Sequence, residues 1–209
     1  MKRQNAKYET TREKARNHIL ESAYAVISVT PFSALTMMSF ADAAKISRQT
    51  LYKYFGTIDS IIFALKAKLS QEFTEIYDPI FADDSLDAKT KLLTMTKQTL
   101  SLAEASPDRF VFIARFSNNP TPEETALFKS DLTAGSGKFA ELIRQGQSEG
   151  SINPGLDPEV IGFSILNITI GAATRIAVHR PAITLNNKEL TAKDIEDTLL
   201  HEIELLLSL

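Results

Sequence analysis

Apolar residues recur along most of this chain at intervals of three and four positions, which is the period of an amphipathic helix. The first such segment runs from Thr10 to Val29, and the last begins at Thr191 and continues towards the C-terminus. We identify no extended segment in which apolar and polar residues alternate as they do in a half-buried strand. The pattern therefore predicts an all-α fold of about nine helices.

Several predicted helices begin with a side chain that can accept a hydrogen bond from the first turn. Thr10 and Glu13 form a capping-box pattern at the start of the first long segment. Gly56 provides a stop after two short helices, and Thr57 can cap the long apolar helix that follows. Three further starts place proline directly after a capping residue, which favours the first helical position. These starts are Ser106-Pro107, Thr121-Pro122 and Asp157-Pro158.

The segment from Thr36 to Phe55 has the pattern of two short helices joined by a tight turn. The second helix opens at Ser47 and carries small polar, basic and aromatic side chains, while Leu51 and Phe55 are its predicted core residues. A short helix braced by another suits the DNA major groove, which is about 12 Å wide and admits one α-helix. The segment therefore predicts a helix-turn-helix that binds DNA.

Length and composition restrict the class of protein. The 209 residues suffice for a small domain, which we place at 10–69, and a larger one at 70–209. The chain has no Cys, which excludes disulfides and thiolate zinc sites. The polar N-terminus lacks the apolar stretch of a signal peptide, and we identify no run of about 18 apolar residues. We therefore expect a cytoplasmic protein without a membrane span.

The charge is distributed unevenly along the chain. The net charge of −3 alone argues against a nucleic-acid partner. Residues 1–68, however, hold 11 Lys and Arg against 5 Asp and Glu, a balance of +6, while residues 69–209 hold 12 against 21, a balance of −9. A basic segment attached to an acidic body fits a protein of which one end meets phosphates. The alternative, which the charges alone leave open, is an ordinary solvated face.

Two C-terminal helices have the composition of an interface. The predicted helix from Val160 to Val178 is apolar nearly all round, and its Gly162 and Gly171 would permit close helix approach. Such a helix must be covered on every side. Together with the Leu-rich last helix, it predicts a four-helix bundle formed by two copies around a two-fold axis. The alternative is that both helices are core of a monomer.

The segment from Thr11 to Leu69 resembles the DNA-binding domain of the TetR family of transcriptional regulators. The residues that carry the resemblance are Phe32, Thr36-Met37, Ala41, Ala44, Ile46-Ser47 and Thr50-Leu51-Tyr52-Lys53-Tyr54-Phe55. The resemblance implies an all-α homodimer with N-terminal helix-turn-helix heads and a larger C-terminal domain that binds an effector. It also implies a near-palindromic operator in double-stranded DNA, and most often repression relieved by a small molecule.

Three positions depart from the family pattern. Lys45 occupies the turn, where many members have Gly; a non-Gly residue in a left-handed conformation costs about 1–2 kcal/mol. Gln49 stands at the third position of the recognition helix, where Gly is frequent, and Ile58 replaces a frequent Lys at the start of the next helix. These departures leave the fold intact and change the expected DNA contacts.

Nine residues of this segment are candidates for DNA binding, and four of them have an expected role. Gln49 is the candidate for direct readout, because Gln pairs bidentately with adenine, and the alternative is a solvent-facing helix former. Arg48 is assigned to phosphate. Tyr52 and Tyr54 are expected to donate to phosphate, since duplex DNA exposes no base faces. The full set is Thr36, Lys45, Ser47, Arg48, Gln49, Thr50, Tyr52, Lys53 and Tyr54.

The larger domain offers candidates for an effector site. Phenylalanines cluster around residues 110–116, where they could line a cavity for a small apolar or amphipathic effector or form ordinary core. The candidate ligand residues are Arg109, Phe112, Arg115, Phe116 and Arg175. Arg175 is included because a cation in an apolar helix needs a partner.

Catalysis finds little support in the sequence. His18, His179 and His201 show no metal-ligand spacing, and the glycines around Ser136 lack the strand that precedes a phosphate loop. We predict no catalytic residue, metal or cofactor. The leading hypothesis is a homodimeric regulator modulated by an effector. A DNA-bound adaptor whose C-terminal domain docks a protein is the alternative, and an all-helical enzyme comes third.

Overall fold

The computed structural model describes residues 2–116, 137–179 and 182–208. Nine α-helices lie within these ranges, and the predicted all-α class is confirmed. A short 3-10 turn, Phe32–Ala34, lies between the first two helices. The predicted helix start at Thr121-Pro122 lies outside the described residues. The helices are α1 Lys2–Val29, α2 Met37–Ala43, α3 Arg48–Tyr54, α4 Ile58–Phe81, α5 Ala88–Ala105, α6 Pro107–Phe116, α7 137–149, α8 Pro158–Val178 and α9 Ala192–Leu207.

The chain forms two compact units, Met1–Leu69 and Ser70–Leu209, and the boundary falls inside α4. In the first unit, α2 packs against α1 and α3. The side chain of Tyr24 is fully buried, and its hydroxyl donates to the Leu65 carbonyl oxygen at 3.0 Å. This hydrogen bond ties α1 to α4 within the first unit and satisfies the one polar atom of a large core residue.

The first helix is longer than the sequence analysis predicted. It begins at Lys2, so the capping-box pattern of Thr10 and Glu13 lies inside the helix and does not start it. The prediction was wrong because a capping pattern favours a helix end without breaking a helix that already passes through it. Residues 2–9 contain no Pro or Gly that would stop the helix.

The core of the second unit is built by α4, α5, α6, α7, α8 and α9. Aromatic rings meet edge to face within it, with centroids 6.1 Å apart for Phe73 and Phe110 and 5.9 Å apart for Tyr77 and Phe139. The Tyr77 hydroxyl lies 2.7 Å from Thr99 Oγ1, and burial raises the pKa of Tyr77 to about 12. The phenolic group therefore stays neutral and hydrogen-bonded in the core.

Gly162 brings α8 into close contact with α7. A Cβ at this position would lie 2.7 Å from the backbone nitrogen of Ala140, so a side chain has no room. The close approach at Gly162 is thus made to α7 of the same chain, and the use of these glycines between two copies stays a prediction. At Gly171 a Cβ would meet no atom within 4 Å of the chain.

A β-hairpin lies between α8 and α9. Strand β1, Ala182–Leu185, pairs antiparallel with β2, Lys188–Thr191. The turn residues Asn186 and Asn187 have φ of 50° and 65°, which is the left-handed pair required by a two-residue type I′ turn. The expectation that the chain has no strands was wrong here. The strands are too short to show alternation, and the signal for the hairpin was the Asn-Asn pair that forms its turn.

Helix α8 bears on the expectation that the chain has no membrane span. It is long and apolar enough, in length and composition, to cross a membrane, and a third of its most apolar window (33%) is buried in the structure. Polar residues interrupt this helix, so the sequence has no unbroken run of about 18 apolar residues, and the absence of a membrane span stays a prediction. Ser164, Asn167 and Thr169 donate to backbone carbonyls one turn earlier, so they interrupt the pattern at little cost. One helix of this kind is also typical of a core or interface helix.

Candidate nucleic-acid interface

Both short helices of the predicted helix-turn-helix are closed by side-chain caps. Thr36 Oγ1 accepts from the Ser39 backbone N–H at 3.1 Å, and the Ser39 hydroxyl oxygen accepts in return from the Thr36 N–H. Ser47 Oγ accepts from the Thr50 N–H at 3.0 Å at the start of α3. The helix starts predicted at Thr36 and Ser47 are therefore confirmed, and each is held by hydrogen bonds of good length.

The turn between α2 and α3 has a left-handed residue. Lys45 has a φ of 53°, as the resemblance required of this position, and its side chain is exposed. The Lys45 N–H donates to the Asp42 carbonyl, and the Ile46 N–H donates to the Ala41 carbonyl, both at 3.0 Å. His18 Nε2 lies 3.1 Å from the Ala44 carbonyl and anchors the turn to α1. Sequence reasoning had assigned His18 no role, because its partner lies 26 residues away.

Helix α3 divides into a buried and an exposed side. Leu51 and Phe55 are 0% and 3% exposed, which confirms their predicted place in the core. The exposed residues are Lys45 and Ser47 in the turn and Arg48, Gln49, Tyr52 and Lys53 on the helix, while Thr50 and Tyr54 are half-buried. Thr36, at the start of α2, is exposed as well. The apolar anchors hold the helix while its polar side faces solvent.

Arg48 and Tyr52 form a local pair on the exposed side. The guanidinium carbon lies 5.4 Å from the Tyr52 ring centroid, and Nη2 donates to the Tyr52 hydroxyl at 3.3 Å. This geometry combines a cation–π contact with a hydrogen bond across one helical turn. The Ser47 and Thr50 hydroxyls, 2.8 Å apart, form a second pair at the helix start. Both pairs reduce the freedom of side chains that a DNA backbone would meet.

The charge of this segment is positive. Between Thr36 and Phe55 the chain carries Lys45, Arg48 and Lys53 against a single acidic residue, Asp42. All three cations are exposed. Lys45 and Arg48 flank the N-terminal end of α3, and Lys53 lies in its last turn. Clustered exposed cations around a helix that can enter a groove are suited to phosphate contacts.

The five candidate ligand residues are spread through the second unit. Arg109 forms a two-point ion pair with Glu72, with Nε–Oε2 and Nη2–Oε1 distances of 3.1 and 3.3 Å, so α6 is tied to α4. Phe112 is 2% exposed, and its ring centroid lies 5.0 Å from that of Phe116. Arg115 and Arg175 are exposed.

The structure places a cleft of about 450 Å³ elsewhere in the second unit, and none of the five candidates lines it. Its apolar wall consists of Ile176, Ala182, Ile183, Leu190, Ala192 and Ile195. Glu104 and His179 complete the lining, and Arg175 Nη1 lies 3.4 Å from His179 Nε2. Sequence reasoning missed this site because it missed the hairpin, whose Asn-Asn turn was the available signal. Among the described residues, no group of three or more His, Asp or Glu could hold a metal ion.

The family comparison agrees with the geometry of the first unit. Residues 19–65 match the family model described as bacterial regulatory proteins, tetR family. This match confirms the resemblance that we based on Thr11 to Leu69. Among proteins with curated descriptions, none matches the sequence.

Solved structures share the fold over nearly the whole chain. AibR in complex with isovaleryl coenzyme A and operator DNA is 19% identical, covering 90% of this chain and 97% of its own, with a TM-score of 0.71. FadR from Bacillus subtilis in complex with stearoyl-CoA is 18% identical, with the same coverage and a TM-score of 0.73. The ketosteroid regulator KstR2 of Mycobacterium tuberculosis is 19% identical, covering 93% and 95%, with a TM-score of 0.70. At these identities, the likeness establishes the shared fold.

Proposed function

Because residues 19–65 form the N-terminal domain of the TetR family of transcriptional regulators, we propose that this protein represses transcription by binding an operator through α3. The observation that carries the proposal is the two-sided character of α3. Leu51 and Phe55 anchor the helix, while Arg48, Gln49 and Lys53 face solvent beside the basic turn. A helix held in this way presents its N-terminal residues to base edges in the major groove.

The individual contacts follow from the chemistry of the exposed side chains. Gln49 reads a base, since its amide matches the donor and acceptor of adenine in the major groove. Arg48, Lys45 and Lys53 contact phosphates. The hydroxyls of Thr36, Ser47, Thr50, Tyr52 and Tyr54 donate to the sugar-phosphate backbone and set the register of the helix.

We further propose that two copies of the chain bind a near-palindromic operator. Apolar side chains of α8 and α9 are exposed in the single chain, and a second copy would cover them. These side chains are Val160, Phe163, Ile168, Val178, Leu205 and Leu206. A two-fold dimer then presents two α3 helices to half-sites about 34–36 Å apart along the duplex.

An effector bound in the second unit modulates operator binding in this proposal. The AibR and FadR structures hold acyl-coenzyme A molecules, which supports an apolar or amphipathic effector for a chain with the same fold. By linkage, an effector that weakens operator binding must itself bind more weakly to the operator complex, by the same factor. Operator DNA that leaves the effector affinity unchanged would contradict this coupling.

A DNA-bound adaptor is the second candidate function. The observation that favours it is the exposed apolar side of α8, which another protein could cover in place of a second copy. A chain that stays monomeric at micromolar concentration, and binds DNA without responding to small molecules, would support the adaptor over the effector-controlled repressor.

Selection of bound fragments from genomic DNA tests the main proposal. Purified protein at a stated salt concentration should enrich sites with inverted repeats, because a symmetric dimer reads two equivalent half-sites. The control is the double variant Arg48→Ala with Gln49→Ala, which keeps the buried anchors of α3 and should lose the enrichment. Enrichment that is equal for the control, or absent for the native chain, would contradict operator recognition by α3.

A further inference from the structure

The cleft beside the hairpin lies where five elements of the second unit meet. It is bounded by the end of α5, the end of α8, the two strands and the start of α9. Its volume of about 450 Å³ falls within the range of small-molecule sites, about 300–1,000 Å³. Six of the eight lining residues are apolar. The cleft thus has the size of a site for a small organic molecule, and it is open to solvent on one side.

The hairpin holds two of these apolar side chains in place. Ile183 pairs directly with Leu190 across the strands, so the two side chains share one face of the ribbon. The left-handed pair Asn186 and Asn187 fixes the register, because a two-residue type I′ turn determines which residues lie opposite each other. This part of the cleft wall is therefore set by the backbone before any ligand enters.

The polar part of the lining is electronegative at one end. Glu104 lies in the last turn of α5, and its side chain is exposed. A carboxylate there is placed unfavourably against the partial negative charge of the helix C-terminus, and α5 has no basic residue in its last turn. A cationic group bound beside Glu104 would be attracted by both charges. At the end of α8, by contrast, Arg175 in the last turn offsets the helix charge and contacts His179.

We propose that this cleft binds an amphipathic cation, with its apolar body against Ile183 and Leu190 and its ammonium group on the Glu104 carboxylate. The inference rests on the proposed function only in making this molecule the effector, since the cleft itself is defined by the second unit alone. The negative charge of Glu104 also distinguishes this site from one for acyl-coenzyme A, because the carboxylate would repel the phosphates of that molecule.

Calorimetric titration with two amphiphiles of equal chain length and opposite charge tests the proposal. Decylammonium and decanoate are titrated into the full-length protein without DNA, below the concentrations at which they form micelles. Decylammonium should bind about two- to fivefold more tightly than decanoate, because an ion pair with an exposed carboxylate contributes a factor of that order. Equal affinities, or tighter binding of decanoate, would overturn the proposal.

Two variants locate the binding within the cleft. Glu104→Gln keeps the size of the side chain and should weaken decylammonium binding about two- to fivefold, while the matched variant Glu141→Gln on α7 should not. Ile183→Trp should fill the cleft and abolish binding, while Leu185→Trp, outside the lining on the same strand, should retain it. Far-UV circular dichroism verifies the fold, and if Ile183→Trp fails to fold, Glu104→Gln decides. Unchanged affinity in Glu104→Gln would overturn the assignment.

Operator binding supplies a separate measurement. If decylammonium binds as described and lowers the affinity for the selected operator, both the site and its effector role are supported. Binding in the cleft that leaves operator affinity unchanged would contradict the effector role in the proposed function, while the site would stand.

Discussion

Arg48 leaves α3 at its first helical position, with the guanidinium held against Tyr52 by a ring contact and a hydrogen bond. Arg48→Ala should weaken binding to all DNA sequences and reduce the slope of log affinity against log salt by about 1, because one phosphate contact is lost. Fluorescence anisotropy at several salt concentrations measures the slope. Lys188→Ala, which removes one cation from β2 in the other unit, is the control. A native slope in Arg48→Ala would exclude a phosphate contact.

Gln49 is exposed at the neighbouring position and has no fixed side-chain partner in the described part of the chain. Gln49→Ala should cost about 1–3 kcal/mol on the cognate operator and relax the preference at one base pair of each half-site, because the amide matches a single base edge. Competition binding with operators altered one base pair at a time measures this effect. An equal loss on every sequence would show that Gln49 contributes affinity without reading a base.

Residues in the helix-turn-helix were predictable because their roles are local. The Ser47 cap, the left-handed Lys45 and the buried Leu51 follow from signals within a few positions of each residue. Arg109 was different. The sequence suggested a ligand contact, but the structure pairs it with Glu72, 37 residues away, and no local pattern identifies a partner at that distance.

At the scale of elements, helix starts were predictable wherever a capping residue directly preceded the first residues of an apolar stripe. Asp157 caps α8 and Thr191 caps α9 through a full capping box, as expected. The pattern was misleading at Thr10, because no helix-breaking residue precedes it and the helix continues through this position. The hairpin was missed because each strand has only four residues, too few for alternation to be recognised without the Asn-Asn turn.

The packing of α7 on α8 depends on Gly162. Gly162→Ala should lower the free energy of unfolding by about 1–3 kcal/mol, because a Cβ lies 2.7 Å from the Ala140 backbone nitrogen and the helices must move apart. Urea denaturation measures the change. Gly56→Ala is the matched control, since a Cβ there meets no atom within 4 Å and its effect should be neutral or slightly stabilising. Equal stability of the two variants would contradict the close contact.

The start of α5 is held by carboxylates, which makes it sensitive to acid. Glu149 accepts from the Ala88 backbone N–H at 2.6 Å, and this hydrogen bond holds the Glu149 pKa below its ordinary 4.5. Hydrogen bonds from Thr90 lower the Asp87 pKa from 3.8. Because both pKa values are depressed in the folded state, their contribution to stability is present above about pH 4.5 and is lost as the pH falls through the folded values.

Denaturation at pH 6 and at pH 3.5 measures this contribution. The native chain should lose stability between the two pH values, and Glu149→Gln should lose less, because it has no carboxylate to protonate. Glu141→Gln, an exposed substitution on the same helix, is the control and should follow the native chain more closely. A native-like loss in Glu149→Gln would contradict the role of this cap.

At the scale of the whole molecule, the exposed apolar side of α8 requires a partner that covers it. Phe163 is 51% exposed and Val160 59%, on a helix whose opposite side is packed on α5 and α6. A membrane, another protein or a second copy could each cover such a surface. The proposed operator binding favours the second copy, because a near-palindromic site would require two α3 helices in one particle.

Phe163→Asp tests the dimer directly. The native chain should sediment at twice its 23.1 kDa mass, and Phe163→Asp should sediment as a monomer, because a charge placed in an apolar interface loses its hydration without gaining a partner. The variant should keep its helical circular dichroism, since the side chain faces solvent in the single chain. It should also bind a full operator no more tightly than a half-site, because linkage of the two heads supplies the added affinity.

Leu185→Asp, an equally exposed apolar position on the hairpin, is the control and should remain dimeric. A native chain that sediments as a monomer at micromolar concentration would instead favour the adaptor.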